Sequence, residues 1–163
     1  MRLIPLKKED YPAFMKDCQV SFSLAVQEEK DISEELIPPD EDLLKSLQLP
    51  DAQSFFIEEA GEIIGGVIVQ ITANHHNHLD FFYMNPDIIG KGYGSKAWKL
   101  IEKSYPETII WETVTPYFEK RNIAFYLKRC GFKIVDIFAF DDDVDERMFQ
   151  FEKIMKNRPE MDE

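Results

Sequence analysis

The chain opens on a short apolar stretch, MRLIPL, that predicts a strand. Tyr11, Phe14, Met15, Cys18 and Phe22 then recur at helical spacing and predict an amphipathic helix. Residues 30–39, with Pro38 and Pro39, read as a loop, after which Asp40 is placed to cap a short helix through about Gln48. Residues 53–59, 63–73 and 78–85 are dense in β-branched and aromatic side chains and are separated by Ala-Gly-Glu and Asn-His-His-Asn, a pattern that predicts three consecutive antiparallel strands. Beyond Pro86 the helical spacing returns at Tyr93, Ala97, Trp98, Leu100 and Ile101. ETIIWETV then predicts a strand and NIAFYLKRCGF a helix that Gly131 stops. FKIVDIFAF and RMFQFEKIM predict two last strands about the polar turn DDDVDE, and NRPEMDE a frayed end. A meander followed by strand–helix units predicts a mixed α/β (α+β) sheet, central, mostly antiparallel and flanked by helices, in a single domain over residues 1–163.

Composition agrees with a folded domain: 163 residues, 44% hydrophobic and 13% aromatic, are enough for one filled core. No apolar run is long enough to span a bilayer and the N-terminus lacks the apolar segment of a signal peptide, so a cytoplasmic protein without a membrane partner is expected. Cys18 and Cys130 lie far apart, without metal-ligand spacing, and read as free thiols. The net charge of −12 argues against nucleic acid as a partner. Residues 86–133 depart from that balance: nine basic against five acidic side chains make +4, which leaves −16 for the rest.

That basic segment holds IIGKGYGSKAW, a glycine-rich turn leading into a helix, where exposed amides and the helix dipole favour an anion. It is not a P-loop, because no Gly-Lys-Ser/Thr triplet exists. It is not a dinucleotide fingerprint either, since Ser95 stands where the third glycine belongs and some 85 residues precede it. Instead, FFYMNPDIIGKGYGSKAW resembles the acyl-CoA pyrophosphate loop, Arg/Gln-x-x-Gly-x-Gly/Ala, of the GNAT superfamily of acetyl-CoA-dependent N-acyltransferases. Gly92 and Gly94 match, while Ile89 occupies the Arg/Gln position. Downstream, residues 122–132 (NIAFYLKRCGF) resemble the family's N-x-x-A-x-x-[FY]-[YF]-x-x-x-GF block with slightly compressed spacing. The best-matching core spans residues 52–155.

The resemblance implies acetyl-CoA as co-substrate, no metal, and a particular placement of side chains. Ile89, Gly90, Lys91, Gly92, Tyr93, Gly94 and Ser95 would wrap the pyrophosphate, with Lys91 and Lys96 adding positive potential. The strand over residues 79–84 would part from the next, and the pantetheine arm would lie in the gap. Backbone amides of Phe82, Tyr83 and Met84 would stabilise the tetrahedral intermediate. Asn122 and Phe125 would contact the arm, and Tyr126 would serve as general acid to the departing thiolate. An amine acceptor with a pKa near 10 must also lose a proton, and Asp80, Glu112 and Glu58 are the candidate bases, with the choice among them open.

The expected acceptor is a small cationic amine, such as a polyamine or an amino sugar, or a protein amino group, drawn by the acidic remainder of the chain. An acyl-CoA-binding sensor without transferase activity is the alternative, and Ile89 is its support. The cluster from His75 to His78, with His75 and His76 in the predicted hairpin turn, reads as solvated and not as a metal site, and the aspartates from Asp141 to Asp145 as a charged loop without calcium-binding spacing. A homodimer through an edge strand is a further expectation, with RMFQFEKIM as the suspected edge.

Overall fold

The computed structural model describes residues 1–29, 37–139 and 147–155. Seven strands form one sheet in the order β1-β2-β3-β4-β5-β7-β6: β1 (Arg2–Pro5), β2 (Ala52–Glu59), β3 (Glu62–Gln70), β4 (His76–Met84), β5 (Ile110–Pro116), β6 (Lys133–Ala139) and β7 (Arg147–Ile154). Every neighbouring pair is antiparallel except β4–β5. The mixed, mostly antiparallel sheet flanked by helices is the architecture the pattern predicts. The expected turn at residues 141–146 and the terminal 157–163 lie outside the described residues, as does most of the loop before Pro38.

Helices cover both faces, and the sheet therefore divides two cores. On one face α1 (Tyr11–Glu29) and α2 (Asp40–Gln48) set Phe14, Cys18, Leu43 and Leu47 against Ile68 and Tyr83. On the other, Ala97, Trp98 and Ile101 of α3 (Tyr93–Ser104) pack with Leu79, Phe82, Trp111, Phe132 and Phe151. β3 lies between both layers and is buried from Ile64 through Gln70, which explains its continuous apolar run. Gly66 is required there, because a Cβ would sit 2.5 Å from the Phe14 ring and 2.6 Å from that of Tyr83.

Four expectations need correction. Asp40 is the first helical residue of α2, and Pro39 stands at the cap; Asp40 instead accepts a 2.6 Å bond from the buried Gln19, and three acidic residues in this turn complement the dipole. The hairpin before β4 turns two residues earlier than the sequence indicates, so His76 and Asn77 also lie in the strand. Asn77 fixes that register: buried, it accepts from Thr72 N at 2.9 Å and donates to Thr108 Oγ1 at 2.7 Å. β7 is not an edge strand, since β5 and β6 pair with it on either side; the edges are β1 and β6. The last helix is α-helical only as α4 (Lys120–Phe125) and continues as a π turn over Tyr126–Cys130, closed onto Gly131 at φ 82°. The cysteines are free and buried, and burial pushes the Cys130 thiol up to about 12, which leaves it inert at neutral pH.

Candidate active site

β4 and β5 share only three register positions, His76–Ile110, Asn77–Trp111 and His78–Glu112. Beyond them β4 stays with β3 and β5 stays with β7, so the strands diverge. Thr113 Oγ1 donates to Leu79 O at 2.8 Å close to the vertex. The gap opens into a cleft of about 500 Å³, of ligand-pocket size. One wall is Phe82, Tyr83 and Met84 of β4. A second is Ile88, Ile89, Gly90 and Gly92 of the turn with Tyr93, Gly94 and Ser95 of α3, and a third is Asn122, Phe125 and Tyr126.

The glycine turn is shaped for an anion. Gly92, at the N-terminal boundary of α3, has φ 82°, a left-handed conformation that side chains resist, and nothing lies within 4 Å of where its Cβ would be. The first internal bond of α3 runs from Lys96 N to Gly92 O, which leaves the amides of Tyr93, Gly94 and Ser95 without partners inside the helix. Lys91 and Lys96 do not line the cleft. The Lys96 ammonium is held by Glu59 on β2 at 3.1 Å, whereas Arg121 and Arg129 of the C-terminal helix supply the cations of the wall.

Tyr126 is buried among Phe125, Phe132 and Phe151, with ring centroids 5.5 to 5.7 Å away. Its hydroxyl meets Thr113 and Thr115, both buried on β5. Burial, reinforced by Cys130 and Glu119, pushes the phenol far above its ordinary value, so it holds its proton.

The three carboxylates proposed as bases separate. None of the three lines the cleft, and Glu58 pairs with Arg2 at 2.6 Å on the β1–β2 edge. Asp80 and Glu112 meet at the vertex through His78, the first residue of the predicted strand: Nδ1 lies 3.4 Å from Asp80 and Nε2 3.6 Å from Glu112. A bulge between Ile68 and Val69 leaves Asp80 unopposed on β4. Burial tends to raise the Asp80 pKa, but bonds from His78, Ser46 at 2.6 Å and Gln70 at 2.7 Å outweigh it and hold the carboxyl below its usual value.

Glu119, which the sequence did not single out, is the one acidic residue in the buried class among the described residues. Burial raises its pKa from 4.5 to about 7 against the opposing Asn122 hydrogen bond. The native state therefore binds this proton more tightly than the unfolded chain does. Its contribution to stability falls as pH rises from about 4.5 to about 7, with the full cost present above 7. Glu119→Gln is expected to stabilise the protein at pH 8 by up to about 3 kcal/mol and to change little at pH 4.5, as read by denaturant unfolding at the two pH values.

A sheet split between two parallel strands, with a glycine-walled helix start at its mouth, forms a cleft whose exposed amides suit an anion. The model of the acetyltransferase (GNAT) family matches residues 15–132, and the chain belongs to that family. The Bacillus subtilis (strain 168) protein YrkN is 41% identical over 170 residues, 93% of this chain and 92% of YrkN. An acetyltransferase from Thermus thermophilus superimposes with a TM-score of 0.72 at 19% identity, over 94% of this chain and 96% of that one. The PaiA N-acetyltransferase from Thermoplasma acidophilum, solved in complex with coenzyme A, gives 0.69 at 20% identity over 95% and 100%. At these identities the two structures speak for the fold. No helix among the described residues is long and apolar enough to cross a membrane.

Proposed function

We propose that the protein transfers the acetyl group of acetyl-CoA to a primary amine by direct attack. The observation that carries this reading is the β4–β5 divergence, with the glycine turn at one end of the cleft and Tyr126 beside the vertex at the other. The residues present fit the coenzyme: unpartnered amides at α3 and two arginines suit phosphates, and the β4 edge offers backbone groups to the pantetheine amides. When bound, acetyl-CoA supplies the activated thioester.

The chain's own groups then divide the work. Asp80 and Glu112, bridged by His78, take the proton that the ammonium must lose, directly or through water. Backbone amides of Phe82, Tyr83 and Met84 stabilise charge on the thioester oxygen. The amine lone pair forms the C–N bond, the C–S bond breaks, and the Tyr126 hydroxyl protonates the departing sulfur. A cationic acceptor is favoured by the row of polar side chains on the α1–α2 face: His78, Glu112 and Glu152 are register partners across β4, β5 and β7, with Asp80 beside them. Lys133 on β6 offsets part of this charge.

Thiol release followed with paired cationic and neutral amines tests the reading: turnover is expected with the cationic member, and preference for neutral amines would contradict the acceptor class. Asp80→Asn is expected to lower kcat about 10- to 100-fold, measured with a saturating amine. Gly92→Val, forced into a left-handed conformation, is expected to weaken coenzyme A binding at least about tenfold by calorimetry.

A further inference from the structure

Glu119 has no task in the transfer reaction, yet it is bonded to a residue of the cleft wall. It sits at the N-terminal boundary of α4 with 6% of its surface exposed, and Asn122, one turn on, lines the cleft. Asn122 Nδ2 donates to Glu119 Oε2 at 2.6 Å. An ionised carboxylate only accepts hydrogen bonds, so this contact decides which end of the Asn122 amide is turned away from the cleft and leaves Oδ1 for whatever occupies it.

We propose that Glu119 is a positioning residue for the coenzyme: as a carboxylate it holds Asn122 with Oδ1 toward the cleft, where that oxygen accepts an N–H of the pantetheine arm. The inference rests on the acetyl-CoA reading of the cleft. Protonated Glu119 gains an O–H that donates to Asn122 Oδ1 equally well, and the amide is no longer held one way round. Because burial moves this titration to about 7, coenzyme affinity becomes sensitive to pH in the neutral range. Among the neighbouring groups, Asn122 opposes the effect of burial, and the Tyr126 phenol, whose pKa Glu119 helps to raise, stays protonated throughout. Lys120 and Arg121, adjacent in the chain, are exposed.

The test is calorimetric binding of coenzyme A at pH 6 and pH 8 to the full-length wild type, Glu119→Gln, Asn122→Ala and the double variant. The coenzyme's own phosphates titrate alike in all four, so differences between proteins isolate the carboxylate. The wild type is expected to bind about as well as Glu119→Gln at pH 6 and about five- to tenfold more tightly at pH 8, with no effect of Glu119→Gln once Asn122 is alanine. Equal pH dependence in wild type and Glu119→Gln overturns the proposal and leaves the coenzyme site standing, as does an undiminished Glu119→Gln effect in the Asn122→Ala background. Absence of binding by the wild type overturns the coenzyme reading itself.

Discussion

Replacing Tyr126 by phenylalanine is expected to lower kcat by about 10²- to 10³-fold while leaving coenzyme binding nearly unchanged, the signature of a group that acts on the leaving sulfur alone. Phenylalanine keeps the ring in its setting of Phe125, Phe132 and Phe151, so only the hydroxyl between Thr113 and Thr115 is lost. The phenol's pKa is raised by burial, so its ionisation contributes no fall in wild-type activity up to pH 10. An equal loss in coenzyme affinity would assign the hydroxyl to binding instead of chemistry.

Trp98→Ala is the substitution expected to damage the fold most. Trp98 is 1% exposed and lies 5.3 Å from both Trp111 on β5 and Phe132. It pins α3 to the sheet and with it the helix start that walls the cleft. Emptying this volume is expected to cost about 3–5 kcal/mol by denaturant unfolding, a large share of the stability of a domain this size. Trp98→Phe should cost much less. The indole Nε1 has no hydrogen-bond partner, so the smaller ring removes an unsatisfied donor along with some of the packing. A loss with phenylalanine as large as with alanine would contradict this account of the packing.

The glycine turn and the Asn122–Tyr126 block were readable because both are local: three glycines before a helical repeat, and a motif whose residues are neighbours in the chain. The elements followed for the same reason, since their periodicity is written within each segment. What escaped depends on contacts between distant segments. His76 reads as part of a polar turn until Asn77 is seen bridging Thr72 and Thr108, and only strand pairing brings His78 between Asp80 and Glu112. The cations follow the same logic: Lys96 is drawn away by Glu59, 37 positions earlier, while Arg121 and Arg129 reach the cleft from another helix. Glu119 looks like an ordinary surface acid ahead of a helix, and its burial is a property of the assembled fold. The irregular spacing of the second motif also has a local form that sequence pattern does not announce. The π turn closes a Gly131 N to Tyr126 O bond.

The central claim is that acetyl-CoA lies between β4 and β5 with its sulfur beside Tyr126, and a crystal structure with bound coenzyme A tests it most directly. The account predicts the pyrophosphate against the amides of Tyr93, Gly94 and Ser95, the pantetheine arm along β4, and the sulfur within hydrogen-bond reach, roughly 3–3.5 Å, of the Tyr126 hydroxyl. Coenzyme bound elsewhere, or a thiol held away from that hydroxyl with β4 and β5 unoccupied between them, would contradict it.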